Sequence, residues 1–330
     1  MTFLNILLAI VVLILLLFGA TLVHLYFGKA RAKRAIQNTY IRHLSGVGTV
    51  DHLSILPLID WYAGGDKFRT EPGVSYLIRA DDSSILMDVG YNQGKEHPSP
   101  LLHNMRELDI TPDGLDGIVL THAHLDHLGG MREQKNREFS VSQGSVSLRS
   151  IQVYTPVPIT PSKWNPEPHL SVVREPAELW KGIVSTGPLP RFLYLLGYTE
   201  EQSLIIRVAN KGLVIIIGCG HPTIERIIGR ARVLFDDPVY AVIGGLHYPV
   251  HGGRVYVGPL NVQRIVGADR PPWHPINEQD VFRGIDAIRE VNPKIVALSP
   301  HDSSDWSLNQ FREAFGERYR DIKVGEEIFI

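Results

Sequence analysis

The run His122-Ala-His124-Leu-Asp126-His127 puts three imidazoles and a carboxylate into six positions, immediately after the apolar Gly117-Ile-Val-Leu120 and immediately before Leu128-Gly129-Gly130. Apolar residues closed by a cluster of polar donors read as a buried strand with a site at its end. The donors are the nitrogen and oxygen types that zinc accepts. On a turn leaving a strand, His122 and His124 can point to one side while Asp126 and His127 curl over toward a second ion. The two glycines let backbone pass closely before the next helix begins. A histidine-rich surface turn that binds nothing is the competing reading, and nothing about folding demands this residue set.

The rest of the chain alternates strand-like and helix-like segments. Residues 74–79 alternate and 85–90 follow as a second strand ending at Gly90, while Leu101, Leu102, Met105 and Leu108 share one helical face. Buried-strand runs recur at 203–208, 212–217, 240–243 and 294–298, and the last three are followed closely by His221, His247 and His301. Pro222 suits a first helical position ahead of the stripe Ile224, Ile227, Ile228, Ala231 and Leu234. Ser307-Leu-Asn-Gln310 has the capping-box pattern and opens the last helix in this reading. Interleaved strands and helices predict a layered α/β domain whose ligands gather at strand ends. The stretches 156–168 and 249–275 have weak periodicity and read as loops near the site mouth.

From position 6 to position 23 no residue is charged, enough at about 1.5 Å per residue to cross a hydrocarbon core of roughly 30 Å. A cleaved signal peptide wants a basic residue ahead of its apolar stretch, and positions 1–5 have none; Ala30-Arg31-Ala32 only loosely mimics a cleavage site and sits in a basic cluster. The expectation is an uncleaved anchor over 1–28 and a basic juxtamembrane linker over 29–49, helical to about Leu44, followed by a catalytic domain over 50–330. Lys29, Arg31, Lys33 and Arg34 follow the span directly, which places the C-terminal side in the cytoplasm. The 33 basic and 35 acidic residues leave no global basic field, so nucleic acid is not an expected partner. Cys219, the single cysteine, has no intrachain disulfide partner.

The HxHxDH run after an apolar strand resembles the metallo-β-lactamase superfamily, and the resemblance extends from about Asp51 to Ile330, including Asp88-Val-Gly90 in an early strand. Within it the chain looks most like the branch named for a dihydropterin synthase of methanopterin-type chemistry, whose later motifs read approximately GCSHPG, GGFH and PxHCTG. Here they are Gly218-Cys-Gly-His-Pro-Thr223, Gly244-Gly-Leu-His247 and Ser299-Pro-His-Asp-Ser303. Thr223 replaces a glycine, and Asp302 with Ser303 replaces Cys-Thr, so that branch's substrate is not carried over. The superfamily commonly bridges its metals with an aspartate after a strand; Cys219 stands near that place, leaving a thiolate bridge, a solvent bridge or none.

The resemblance implies an αββα sandwich behind one transmembrane helix, and two divalent ions. Zinc is expected ahead of Mn2+ or Fe2+, because the superfamily's iron-using oxidoreductases tend to carry glutamate where His124 stands. It implies that His122, His124 and one of His221 or His301 hold one ion, and that Asp126, His127 and the other hold the second. Asp126 would also orient water. His247 would bind metal, contact an anionic substrate group or protonate a leaving group, and Cys219 is a further candidate ligand. Hydrolysis of a phosphoester or other ester in a small anionic substrate is the leading function. A transferase acting on a pterin-like phosphorylated precursor and a non-catalytic metal-binding membrane protein are the alternatives. His52, His97, His103, His169, His251 and His274 read as surface or loop histidines, with His251 and His274 as candidate substrate contacts. The sequence does not bear on oligomeric state.

Overall fold

The computed structural model describes residues 3–330; Met1 and Thr2, part of the uncharged leader, lie outside them. Two seven-stranded sheets form the body of the molecule. The first runs in the spatial order Ile328–Phe329, Leu53–Ile59, Ser75–Ala80, Ser83–Met87, Gly117–Val119, Gln152–Thr155, His169–Val172. The second runs Tyr319–Asp321, Ile295–Leu298, Val239–Gly244, Gly212–Ile217, Leu204–Val208, Ile183–Ser185, Ala177–Trp180.

Side-chain alternation accounts for the layers. Gly212–Ile217 is buried throughout, and successive residues of a strand point to opposite faces. Val214 and Ile216 pack with Ile55, Ile78 and Met87 of the first sheet. Leu213, Ile215 and Ile217 instead meet the predicted stripe of helix Ile224–Leu234, with Val281, Ile285 and Ile288 of helix Glu278–Val291. A third cluster joins Leu101 and Met105 of helix Pro100–Glu107 to Leu58, Leu77 and Ile118 on the outer face of the first sheet. The result is the expected αββα sandwich, each fully buried Leu or Ile contributing roughly 1.5–3 kcal/mol. In the first sheet Ser83–Met87 and Gly117–Val119 are parallel, and in the second so are Gly212–Ile217, Val239–Gly244 and Ile295–Leu298. Their carboxyl ends lead into Asp88, His122, Cys219, His247 and His301, which is where open α/β sheets bind ligands.

Several local expectations shift. The N-terminal helix is one element, Phe3–Asn38, and stops short of Leu44. Residues 39–49 have no regular secondary structure; Ile41, Leu44 and Val47 pack against the helix-side core of the second sheet and the Leu44 amide donates to the Leu234 carbonyl at 2.9 Å. Pro222 lies outside its helix, which Thr223 precedes at φ 81°. The last helix begins at Asp305, not at Ser307, and its cap is Ser304, whose Oγ accepts from the Ser307 amide at 3.1 Å. Strand Leu53–Ile59 lacked a clear pattern in sequence; it contains Pro57, and the pairing register slips between Pro57 and Ile59, where a proline is tolerated. The weakly periodic stretch 249–275 holds a short hairpin, Tyr256–Val257 with Leu260–Asn261, and the helix Gln263–Val266.

The N-terminal helix is long and apolar enough to cross a bilayer. Its C-terminal half docks on the hairpin formed by Leu189–Leu193 and Gly197–Glu201. Leu25, Gly28 and Ala32, spaced as one helical face, are its buried residues. Leu25 and Ala32 cluster with Phe192, Tyr194 and Tyr198. A Cβ on Gly28 would fall against the Phe192 ring, so close approach requires glycine there.

Candidate metal centre

Residues 120–124 link strand Gly117–Val119 to the short helix Leu125–Leu128, and Asp88 organises that turn. Its carboxylate accepts from the Thr121 amide and hydroxyl, both at 2.7 Å, and from His127 Nδ1 at 2.6 Å. With its proton on Nδ1, His127 turns Nε2 to Cys219 Sγ at 3.0 Å. Thr121 Oγ1, donating to Asp88, accepts from His122 Nδ1 at 3.0 Å. That leaves a lone pair on His122 Nε2, which is buried without a partner. Across the site Asp60 plays the corresponding part: Ser299 Oγ donates to it at 2.7 Å and accepts from His301 Nδ1 at 2.6 Å, turning His301 Nε2 to Cys219 Sγ at 3.1 Å. Carboxylate-backed histidines of this kind are the usual support of metal-ligating imidazoles.

The turn after strand Gly212–Ile217 is held by Glu201, which accepts from the Gly220 and His221 amides at 2.8 and 2.9 Å. His221 Nε2 lies 3.1 Å from His124 Nδ1, and its own Nδ1 is buried and unpartnered. His247 donates from Nε2 to the Gln263 carbonyl at 3.2 Å, leaving Nδ1 buried and unpartnered. The His247 amide donates to Asp302 Oδ2 at 3.0 Å. Gly245 and Gly267 leave the room for this: a Cβ on the first would crowd Asp302 and His301, and on the second would fall on the His247 ring.

Three donor sets, each with atoms mutually within 4.8 Å, share Cys219: Asp126, His127 and His301; His122 and His221; His247 and Asp302. His301 therefore sits with Asp126 and His127, and His221 with His122 and the adjoining His124, a division the spacing had left open. Asp60, Asp88, Glu201 and Asp302 join the site without being among the candidates that the sequence offers. Asp88 lies in Asp88-Val-Gly90 and Asp302 in Ser299-Pro-His-Asp-Ser303, where it replaces a motif cysteine, which is the one sequence signal for it; Asp60 and Glu201 have none. His52, His97, His103, His169, His251 and His274 do not enter the cluster; His251 pairs with Glu278 at 2.6 Å instead.

Burial, followed by neighbouring imidazoles, holds His122 and His221 well below the usual histidine range and brings His124 to about 3. Burial likewise brings His247 to about 4 and lowers His301. These rings are neutral at pH 7, the form that ligates metal. Burial, then Asp126 and Asp302, pushes the Cys219 thiol well up. Burial lowers His127, but Asp88 and Asp126 outweigh it and raise it to about 9, so their field favours positive charge at that point. An unmade hydrogen bond at a buried polar atom costs roughly 1–3 kcal/mol, and three such nitrogens surround this cluster. Nitrogen, sulfur and carboxylate donors with free lone pairs fit a divalent ion. Two cavities reach the cluster: one of about 330 Å³ touches His247 and Lys29, the other of about 520 Å³ touches His124 and Arg31.

Residues 69–195 match the metallo-beta-lactamase superfamily model. The chain is similar to the 7,8-dihydropterin-6-methyl-4-(beta-D-ribofuranosyl)-aminobenzene-5'-phosphate synthase of Methanocaldococcus jannaschii, 27% identical over 318 residues that cover 86% of this chain and 99% of that protein. Among solved structures it resembles Tm1679, a metal-dependent hydrolase of the beta-lactamase superfamily, with a TM-score of 0.57 at 20% identity over 84% of this chain and 99% of that one. The metallo-beta-lactamase fold protein YhfI from Bacillus subtilis superposes with a TM-score of 0.52 at 14% identity over 85% and 100% of the two chains. At these identities the structural likeness is one of fold. The segment that matches the metallo-beta-lactamase superfamily model contains Asp88 and the whole run from His122 to His127.

Proposed function

We propose that this protein is a membrane-anchored hydrolase that holds two divalent ions and cleaves a phosphoester or another ester of an anionic substrate. The observation that carries the proposal is the convergence of three donor sets on Cys219, with unpartnered nitrogens on His122, His221 and His247. His122, His124 and His221 would hold one ion and Asp126, His127 and His301 the other, with Cys219 shared and His247 beside Asp302. Such a pair of ions makes water a competent nucleophile near neutral pH and stabilises negative charge on the attacked group. Asp126 is the part-exposed carboxylate of its set, its side chain 23% accessible against 0% for His127, which suits it to orient water. The tautomer of His247, with Nε2–H on the Gln263 carbonyl, supports ligation or proton acceptance at Nδ1 over donation to a leaving group. Zinc fits the imidazole and thiol donors best, with Mn2+ and Fe2+ as further occupants to test.

The anchor reading draws support from the docking of Leu25, Gly28 and Ala32 on the hairpin, because a cleaved leader has no use for a fitted seat. The basic run from Lys29 to Arg34 supports a cytoplasmic catalytic domain.

Elemental analysis of the full-length protein in detergent should find two ions per chain. Turnover of bis(4-nitrophenyl) phosphate should vanish on chelation and return with Zn2+, Mn2+ or Fe2+. Less than one ion per chain, or turnover that survives chelation, overturns the reading. The 27% identity to the archaeal synthase favours a second reading, transfer to an acceptor other than water. Product formation that requires an added alcohol or amine acceptor would select it.

A further inference from the structure

Lys29 and Arg31 are two residues apart, hence about 200° apart around the helix, and they leave it toward different cavities. The membrane helix therefore lines the approaches to the cluster as well as tethering it. The cavity at His124 has an apolar wall from Val157, Ile159 and Leu196 and two cations, Arg31 and Arg137. Among the described residues no carboxylate forms an ion pair with either cation. The Arg31 guanidinium lies 4.1 Å over the Tyr198 ring, and the pocket's one acid, Glu200, accepts from the Tyr198 hydroxyl at 2.9 Å. A cationic, part-apolar cavity that ends at a candidate metal ligand suits an anionic headgroup with hydrocarbon attached.

The hairpin 189–201 sets the height of that cavity. Its contacts climb toward the apolar segment: Phe192 meets Gly28 and His24, and the Tyr194 hydroxyl meets Thr21 Oγ1 at 3.3 Å. At the turn beyond, Leu195 and Leu196 are 59% and 40% exposed. Trp273, 48% exposed, stacks on Phe18 with ring centroids 5.3 Å apart. Phe18 and Thr21 belong to the uncharged run 6–23, so this turn and Trp273 lie level with its C-terminal end. Tyr and Trp beside the end of an apolar span, with two bare leucines, make a surface for the bilayer interface.

We propose, resting on the hydrolase reading above, that the substrate is a phosphate-ester amphiphile that stays in the bilayer. Its headgroup enters past Leu196, with the phosphate on Arg31 and Arg137 and the ester facing the cluster at His124. In the hydrolysis the oxygen of water adds to phosphorus and the bond from phosphorus to the departing alcohol oxygen breaks. One water proton leaves on the alcohol and the other passes to solvent, with no change of oxidation state.

The test uses full-length, metal-loaded protein in phosphatidylcholine vesicles carrying phosphatidylglycerol or phosphatidic acid. Each lipid is compared with its deacylated headgroup, glycerophosphoglycerol or glycerol 3-phosphate, and bis(4-nitrophenyl) phosphate serves as the soluble reference. One of the lipids should turn over at least about tenfold faster than its headgroup, because anchoring raises its effective concentration. Leu195→Asp should lower lipid turnover by a similar factor and leave the soluble reference unchanged; Arg31→Glu should lower lipid turnover as well. Lipids brominated near the top of the acyl chain should quench a fluorescence component that Trp273→Phe removes. Equal or faster turnover of the free headgroups, an unaffected Leu195→Asp variant, or an unquenched Trp273 overturns the proposal while the hydrolase reading stands. Failure to cleave the soluble reference with both ions bound sinks the hydrolase reading and this proposal with it.

Discussion

Cys219 is the residue on which the centre turns, since its sulfur lies 3.0 Å from His127 Nε2 and 3.1 Å from His301 Nε2. A thiol this buried is protonated when alone and loses its proton to a coordinating metal. Co2+-substituted protein should therefore show a sulfur-to-metal charge-transfer band that Cys219→Ser abolishes while part of the metal is retained. A wild-type spectrum without that band makes Cys219 a bystander. Asp88 works one bond further out, fixing Thr121 and the tautomer of His127 together. Asp88→Asn turns an amide N–H toward a donor and should weaken metal binding roughly 10–100-fold, measured by competition with a chromophoric chelator. Unchanged affinity would reduce Asp88 to a structural residue.

Among the elements, the last helix and the first make opposite kinds of prediction. The Ser304 hydroxyl caps Asp305–Phe315 and also donates to the buried Val250 carbonyl, so Ser304→Ala should cost about 1–2 kcal/mol in a urea titration. Ser307→Ala should cost less, because its backbone amide makes the capping bond. Equal effects would restore Ser307 as the cap that the S-x-x-Q spacing suggested. The N-terminal helix touches the domain through a small satellite cluster separate from the main cores. Gly28→Leu should accordingly speed amide exchange across 189–201 while the melting temperature of the domain stays nearly constant. A large drop in melting temperature would mean that the helix is part of the core.

For the whole molecule, the proposed site predicts that metal occupancy and folding are linked. Without a bound metal, His122 Nε2, His221 Nδ1 and His247 Nδ1 are buried without partners. A ligand present at a thousandfold its dissociation constant stabilises by about 4 kcal/mol, roughly 10 °C for a domain of this size. Scanning calorimetry with and without chelator checks this; an unchanged melting temperature after proven metal removal contradicts a linked site. Topology is checked by a reporter fused after Ile330, which should be active in the cytoplasm only. A mature N-terminus near Arg31 would contradict the anchor.

The local patterns were legible because they depend on neighbours in sequence. Apolar runs marked strands 212–217 and 294–298, helical spacing marked the stripe from Ile224 to Leu234, and the density of donors from His122 to His127 marked the centre. Tertiary structure decided what depends on register and packing. Asp60 reaches Ser299 across 239 residues, and Glu201 holds the Gly220–His221 turn from a hairpin that no periodicity announced. The division of His221 and His301 between donor sets, and the place of Cys219 at their junction, follow from how two sheets pair and stack. Strand pattern alone carries no information about which strand ends meet, because burial and alternation are satisfied by many pairings and only the packed core selects one.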